Sequence, residues 1–320
     1  MSTIRKRLRP SIALVLVAVS LAIYFIAALV TDAGSQLGFD GTVGLLQRMV
    51  TLGFVSLGQT FVILVGSVDL SVAALVSAVT VISSFIMQGD PAMIAPAVAI
   101  CLIGCAMVGV INGCLAAYLG INALIVTLGT GLIIQGILAA SFTYLGGTVA
   151  PQFQTLAYGG LFGVPFALLL LAATAALASF VLSSTVFGAR LYAVGGNPEG
   201  ARLAGIHTER FVVYAHILSS LLAGVAGLYL ASRLQSGTPW IGRDGIYDLE
   251  SIAVTVIGGT ILAGGKGGVA GTMAGVLLFA ALDAAFNMIG VDAFLKQVLR
   301  GAIVIAAVAV HAVRQKGHVA

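Results

Sequence analysis

Charge is what this sequence has least of. Only 8% of its 320 residues are Asp, Glu, Lys or Arg, about a third of the share in an ordinary soluble domain. A chain that is 60% hydrophobic, with a mean hydropathy of +1.13, has too little ionic surface to stay solvated as a globular protein. It belongs in a lipid bilayer. Cysteine is nearly absent too: Cys101, Cys105 and Cys114 all fall in one apolar stretch that holds no histidine. That excludes a secreted disulfide scaffold and leaves the three as small packing residues. Cys101 and Cys105 stand one helical turn apart, but a metal site would need further ligands. Seven prolines and no long polar tract exclude a disordered or collagen-like chain. The four histidines, His207, His216, His311 and His318, are scattered, and no Ser/His/Asp or paired-carboxylate grouping stands out as catalytic.

The cations that are present follow the membrane rather than a nucleic acid. Their excess is only +4 despite a pI near 9.1, and what matters is where they sit. Arg5, Lys6, Arg7 and Arg9 precede the first apolar run, 11–30, which is long enough to cross a hydrocarbon core. That run is longer than a signal-peptide core and is followed by no small-x-small cleavage site, so it reads as a retained helix. Apolar runs broken by polar residues, Gly or Pro give ten candidate spans: 11–30, 45–65, 71–88, 93–118, 122–143, 164–183, 210–231, 249–263, 268–289 and 294–313. The expected class is therefore all-α and polytopic. An even count places both termini in the cytoplasm, with Arg314 and Lys316 beside the last span, Arg190 and Arg202 in the 184–209 loop and Arg210 at its end. Segments 31–44, 89–92 and 144–163, outside on this reading, contain no Lys or Arg, and only Arg233, Arg243 and Lys296 lie near the outer side. Spans 71–88 and 249–263 are short enough to be broken or partly inserted.

Small residues mark close packing, because lipid supplies no hydrophobic drive between helices. Gly267, Gly271 and Gly275 form a row at four-residue spacing, and Gly109 with Gly113 a shorter one. Gly66 is suited to end one helix, and Asp69 to cap the next by accepting from the backbone N–H of Ser71 or Val72. A carboxylate at that depth also begins as a site hypothesis. The run 253–262 echoes this region faintly, as an internal repeat would. In the 184–209 loop, Asn197 as N-cap, Pro198 at the first helical position and Glu199 beside the positive helix end predict a short helix that Gly205 terminates. Thr208 and Glu209 start the next span. With Arg202 and the apolar Leu203, Ala204 and Ile206, that helix suits docking into a groove on another protein.

The stretch Val194 to Ile206 (VGGNPEGARLAGI), with Gln59-Thr60-Phe61-Val62, Asp69-Leu70-Ser71-Val72, Asn122 to Thr130 (NALIVTLGT) and the Gly258–Gly275 region, resembles the permease subunit of ribose/xylose-type ABC sugar importers. The resemblance covers nearly the whole chain as one transmembrane permease domain, 1–320, in a bacterial inner membrane. It departs at Ser67 and Ala73, where members of that family often carry Gly. It implies a homodimeric pore for a monosaccharide or related polyol, and a partner ATPase that holds the ATP and Mg. It also implies a periplasmic or lipid-anchored sugar-binding protein. Asn197, Pro198, Glu199, Ala201, Arg202, Leu203, Gly205 and Ile206 would form the coupling helix.

The sequence itself carries no phosphate cradle: Gly264-Gly265-Lys266-Gly267 lacks the leading Gly and the following Ser/Thr of a P-loop. Gly265 to Ala270 satisfies a relaxed dinucleotide pattern but follows no soluble strand. No cofactor is expected in this chain. Gln59, Thr60, Asn112, Thr127, Gln135 and Asn287 are candidates for a path that offers hydroxyl-complementary groups, although each could instead bond a neighbouring helix. The alternatives are an ion-coupled secondary transporter, or a permease of the same family for a branched-chain amino acid or nucleoside. For the first of these, Arg48, Asp69, Asp283, Lys296 and Arg300 are the groups to watch, and Asp283 is expected to pair with Arg300.

Overall fold

The computed structural model describes residues 11–142 and 146–316, and for 304 and 306–316 the backbone alone. Arg5, Lys6, Arg7, Arg9 and His318 lie outside the described residues, as do the side chains of His311, Arg314 and Lys316. The helices, in chain order, are α1 (Ile12–Val30), α2 (Phe39–Leu64), α3 (Val72–Met87), α4 (Ile94–Ala117), α5 (Ala123–Ser141), α6 (Thr155–Tyr158), α7 (Phe166–Ser184), α8 (Val186–Gly196), α9 (Pro198–Leu203), α10 (Thr208–Leu234), α11 (Ile241–Asp244), α12 (Tyr247–Ile257), α13 (Val269–Met288) and α14 (Ala293–Lys316). One departure from an all-helical chain is a minimal antiparallel hairpin, β1 (Gly160–Leu161) with β2 (Val164–Pro165), in the segment before α7.

Among the described residues, α1, α4, α5, α7, α10 and α13 are long and apolar enough to cross a membrane. The chain is an all-α, polytopic membrane protein. α10 lies at the centre, packed on α2, α3 and α4; α1 lies on α13, and α14 on α12. The outward faces of α1, α4, α5 and α7 carry exposed Leu, Ile, Val and Phe, as lipid contact requires.

Glycine sets the closest approaches. A Cβ on Gly109 or Gly113 would come within 2.7 Å of the α10 backbone at His216–Ile217 or at Val213. A Cβ on Gly271 or Gly275 would overlap the carbonyl oxygens of Gly258 and Val254, so α13 and α12 touch backbone to backbone. Gly267 does not continue that row on the helix. It precedes α13 with φ +143° and faces the Thr260 side chain.

Span 249–263 is broken, one of the outcomes its shortness allowed. Its helix stops at Ile257 after 11 residues, about 16 Å of the roughly 30 Å hydrocarbon core. The physical reason is backbone conformation: Gly259, Gly264, Gly265 and Gly267 all take positive φ, and the chain turns back on itself between Ile261 and Lys266. α3, with 16 residues, is also short. It is flanked by a connection that does not stay at the bundle end. From Gly237 to Asp244 the chain runs along α3, with Thr238 N–H donating to Thr80 Oγ1 (3.2 Å) and Gly242 N–H to Ser77 Oγ (2.9 Å).

Candidate functional site

Three interruptions in the helices meet at one junction. α2 ends at Leu64, and Gly66 (φ +79°) releases the chain into the non-helical run to Ser71. The α12–α13 turn reaches it there: Gly265 N–H donates to Leu64 O at 2.9 Å. The end of α8 closes the third side. A Cβ on Gly195 would overlap the Leu64 carbonyl oxygen and lie 2.6 Å from Gly265 N, and one on Gly264 would lie 2.8 Å from both Gly195 O and Gly66 N. Tyr192 adds a bond from α8, its hydroxyl donating to Gly267 O at 2.9 Å. Burial raises its phenol above the ordinary value, so it stays a neutral donor.

From this junction a buried polar chain crosses to three other helices. Asp69 Oδ1 accepts from Ser71 N–H at 3.0 Å, the bond expected of it, and from Ser71 Oγ at 2.6 Å, although Ser71 and not Asp69 holds the cap position of α3. Asn112 Nδ2 donates to Ser71 Oγ (3.0 Å), and Thr130 Oγ1 donates to Asn112 Oδ1 (2.7 Å). Leu70 N–H donates to Thr127 Oγ1 at 3.0 Å. On the other side Ser67 Oγ lies 2.9 Å from His216 Nε2, and His216 Nδ1 lies 3.9 Å from Asp69 Oδ2, with the His216 and Asp69 side chains fully buried. The structure thus assembles a Ser/His/Asp grouping where the sequence offered none. It is sealed inside helix packing without access for a substrate, so it ties the α2–α3 break to α10 rather than serving as a nucleophile. His216 was missed because it stands alone on a helix, and only its depth, in a chain so poor in charge, marked it.

The expected docking helix is present as α9. Asn197 Oδ1 accepts from Gly200 N–H at 2.9 Å, Pro198 opens the helix, Glu199 occupies its first turn, and Gly205 (φ +79°) follows the end. Ala201 is buried and Ile206 half-buried against the core, whereas Leu203 is 91% exposed. Arg202, with 58% of its side chain exposed, donates to Thr208 Oγ1 (2.9 Å) and Glu209 Oε1 (2.7 Å) and so ties α9 to the start of α10. Thr208 is the first residue of α10, and His207, not Thr208, is its cap position.

The path candidates do not converge on one surface. Thr60 bonds Thr272 Oγ1 (2.8 Å) and Ser56 O (2.7 Å), and Asn112 and Thr127 bind the start of α3. Gln59 is fully buried with no hydrogen-bond partner on either amide atom, Gln135 is half-buried on α5, and Asn287 is exposed, bonding Asp283 and Lys296. Asp283 does pair with Arg300, at 2.6 Å, and also with Arg48, at 2.7 Å; Glu250 lies 3.4 Å from Arg300. Sequence reading missed Glu250, because its partner Arg300 lies 50 residues away on another helix.

Residues 41–308 match the family described as branched-chain amino acid transport system / permease component. The Bacillus subtilis ribose import permease is 34% identical over 271 residues, 82% of each chain. That of Haemophilus influenzae is 30% identical over 277 residues, 84% of each. The Escherichia coli K12 L-arabinose transport system permease is 34% identical over 265 residues, 82% of this chain and 80% of the relative. No solved structure matches. With similarity running along most of its length, the chain belongs to this family of transport-system permease components.

Proposed function

We propose that the chain is the pore-forming permease subunit of an ABC importer for a monosaccharide, and that a separate ATPase drives it by engaging α9. The names of the relatives supply the sugar class: ribose, L-arabinose and, at 30% identity over 290 residues, galactose or methyl galactoside. The observation that carries the mechanism is Leu203. A leucine 91% exposed on a side-chain-capped helix is an anchor awaiting a pocket. Behind it Arg202 grips α10, and Gly195, at the base of the same loop, contacts both helix breaks. Displacing α9 therefore moves α10 and the junction together, as rigid rocking between inward and outward states requires.

In this reading ten helices, α1–α5, α7, α10 and α12–α14, are inserted in the inner membrane with both termini cytoplasmic, and α12 crosses only part of the way. The two interrupted pairs, α2–α3 and α12–α13, support an internal repeat. Two copies form the pore, and a periplasmic or lipid-anchored sugar-binding protein delivers the solute. Of the six path candidates, Gln59 is foremost because its amide is unpartnered, while Thr60, Asn112 and Thr127 hold neighbouring helices together. Selectivity resides mostly in the binding protein.

Leu203→Asp tests the assignment. The side chain packs against almost nothing in the subunit, so the variant should fold and insert normally. It should lose co-purification of the ATPase and ATP-driven uptake. A full-strength complex with the variant would refute the docking role of α9, and uptake driven by an ion gradient instead of ATP would refute the importer.

A further inference from the structure

Arg48 of α2, Asp283 of α13, Arg300 of α14 and Glu250 of α12 meet around one cavity of about 250 Å³, lined also by Thr51 and Tyr247. At about 30 Å³ per water that volume holds some eight waters, below the roughly 300–1,000 Å³ of drug-sized sites. It suits one small solute. Side-chain exposure falls in order from Arg48 (39%) through Arg300 (26%) and Asp283 (22%) to Glu250 (6%). Arg48 therefore stands towards the mouth and Glu250 at the floor. Arg48 also lines a neighbouring cavity of about 550 Å³, with Tyr24, Asp40 and Asn287. Arg48 thus borders both cavities, and its partner Asp283 lines the narrower one.

The floor is unfinished. Glu250 is 95% buried, and its Oε1 accepts no hydrogen bond: its nearest cation, Arg300 Nη1, lies 3.4 Å away in a guanidinium shared with Asp283. An ion pair at that distance leaves the buried oxygen's lone pairs short of a donor, which is costly, and Glu250 lines the cavity. Farther along α2, Ser56 Oγ and both amide atoms of Gln59 are also buried without partners. The chemistry of the walls selects the occupant. An anion would face two carboxylates and a cation would face the arginines, Arg233 included. A neutral polyhydroxylated molecule satisfies both, because each hydroxyl can donate to a carboxylate and accept from a guanidinium.

We propose that this cavity is a transit site for the sugar, with Glu250 accepting a sugar hydroxyl and the Arg48–Asp283 pair opening to admit it. The inference rests on the importer reading and adds the residues that hold the solute inside the permease.

The test uses the complex reconstituted in liposomes with its ATPase and binding protein. The probes are labelled ribose, L-arabinose and galactose and their monodeoxy analogues. Glu250→Gln, which keeps shape but loses the carboxylate, should lower uptake of the transported sugar at least tenfold. One monodeoxy analogue should be carried equally by wild type and variant, because it lacks the hydroxyl that Glu250 receives; a merely structural role would slow every analogue alike. If Glu250→Gln does not assemble, Thr51→Val takes its place and should lower uptake threefold or more with the same analogue signature. Uniform slowing of all analogues, or wild-type uptake by the variant, overturns the transit site and leaves the importer standing. If the wild-type complex carries none of the sugars with ATP, the sugar-importer reading falls and the transit site with it.

Discussion

Gly195→Ala is the sharpest probe of the junction, because its neighbour provides the control. A Cβ at position 195 would overlap the Leu64 carbonyl oxygen and lie 2.6 Å from Gly265 N, the two atoms that share a 2.9 Å hydrogen bond. Backbone cannot swing aside as a flexible side chain can. Relief requires α8 to move off or the bond to break. Overpacking of this kind costs about 1–3 kcal/mol, and a lost backbone hydrogen bond about 1 kcal/mol. Ala instead of Gly in a helix returns about 0.5–1 kcal/mol. The net loss is about 2 kcal/mol, roughly a 30-fold rise in the open junction at 1.4 kcal/mol per decade. At Gly196 the nearest atom to a Cβ is Gly265 Cα, at 3.9 Å, so Gly196→Ala should be neutral or stabilising. Thermal stability in detergent and hydrogen exchange at the Gly265 amide measure both variants. Gly195→Ala should melt earlier and lose protection at 265; if the two variants behave alike, the three-way junction is wrong.

Two further substitutions probe the neighbouring contacts. Asn197→Ala removes the bond from Gly200 N–H and should weaken α9 by about 1 kcal/mol. Affinity for the ATPase should fall several-fold, and Asn197→Asp should restore it. Ser67→Ala strips His216 Nε2 of its 2.9 Å partner inside a sealed site, which should cost about 1–3 kcal/mol in denaturant or thermal unfolding of the solubilised protein. A variant as stable as wild type would mean that the break is not held to α10 through His216.

Local chemistry made much of this structure legible. Asn197-Pro198-Glu199 predicted α9 because an N-cap, an N1 proline and an acidic first turn act within one helical turn. The bond from Ser71 N–H to Asp69 was legible for the same reason. The Asp283–Arg300 pair was legible because two opposite charges on successive helices in lipid have few other partners. What stayed hidden is long-range or conformational. Ser67 meets His216 across 149 residues of sequence, and no local pattern encodes that. The reach of Arg202 to Glu209 joins the ends of two separate helices, and the loop sequence does not encode it. Hydropathy measures apolar content and not dihedral angles, so the apolar residues on either side of Gly258-Gly259 read as one span although the helix stops there.

The early end of α12 has a physical sequel. A helix of about 16 Å leaves the rest of its path through the membrane to non-helical backbone, whose N–H and C=O groups lipid cannot satisfy. The turn solves this inside protein: Ile261 N–H donates to Lys266 O, Gly264 N–H to Ile261 O and Gly265 N–H to Leu64 O, at 2.9 Å in each case. Only the last of these reaches outside the turn, and it lands on the end of α2, where the other interruption begins. Each break thus helps to satisfy the other, and neither could move far without unpairing the other. A permease needing two broken helices to shift together would gain that coupling from this one backbone contact, and Gly195 places the docking loop directly upon it.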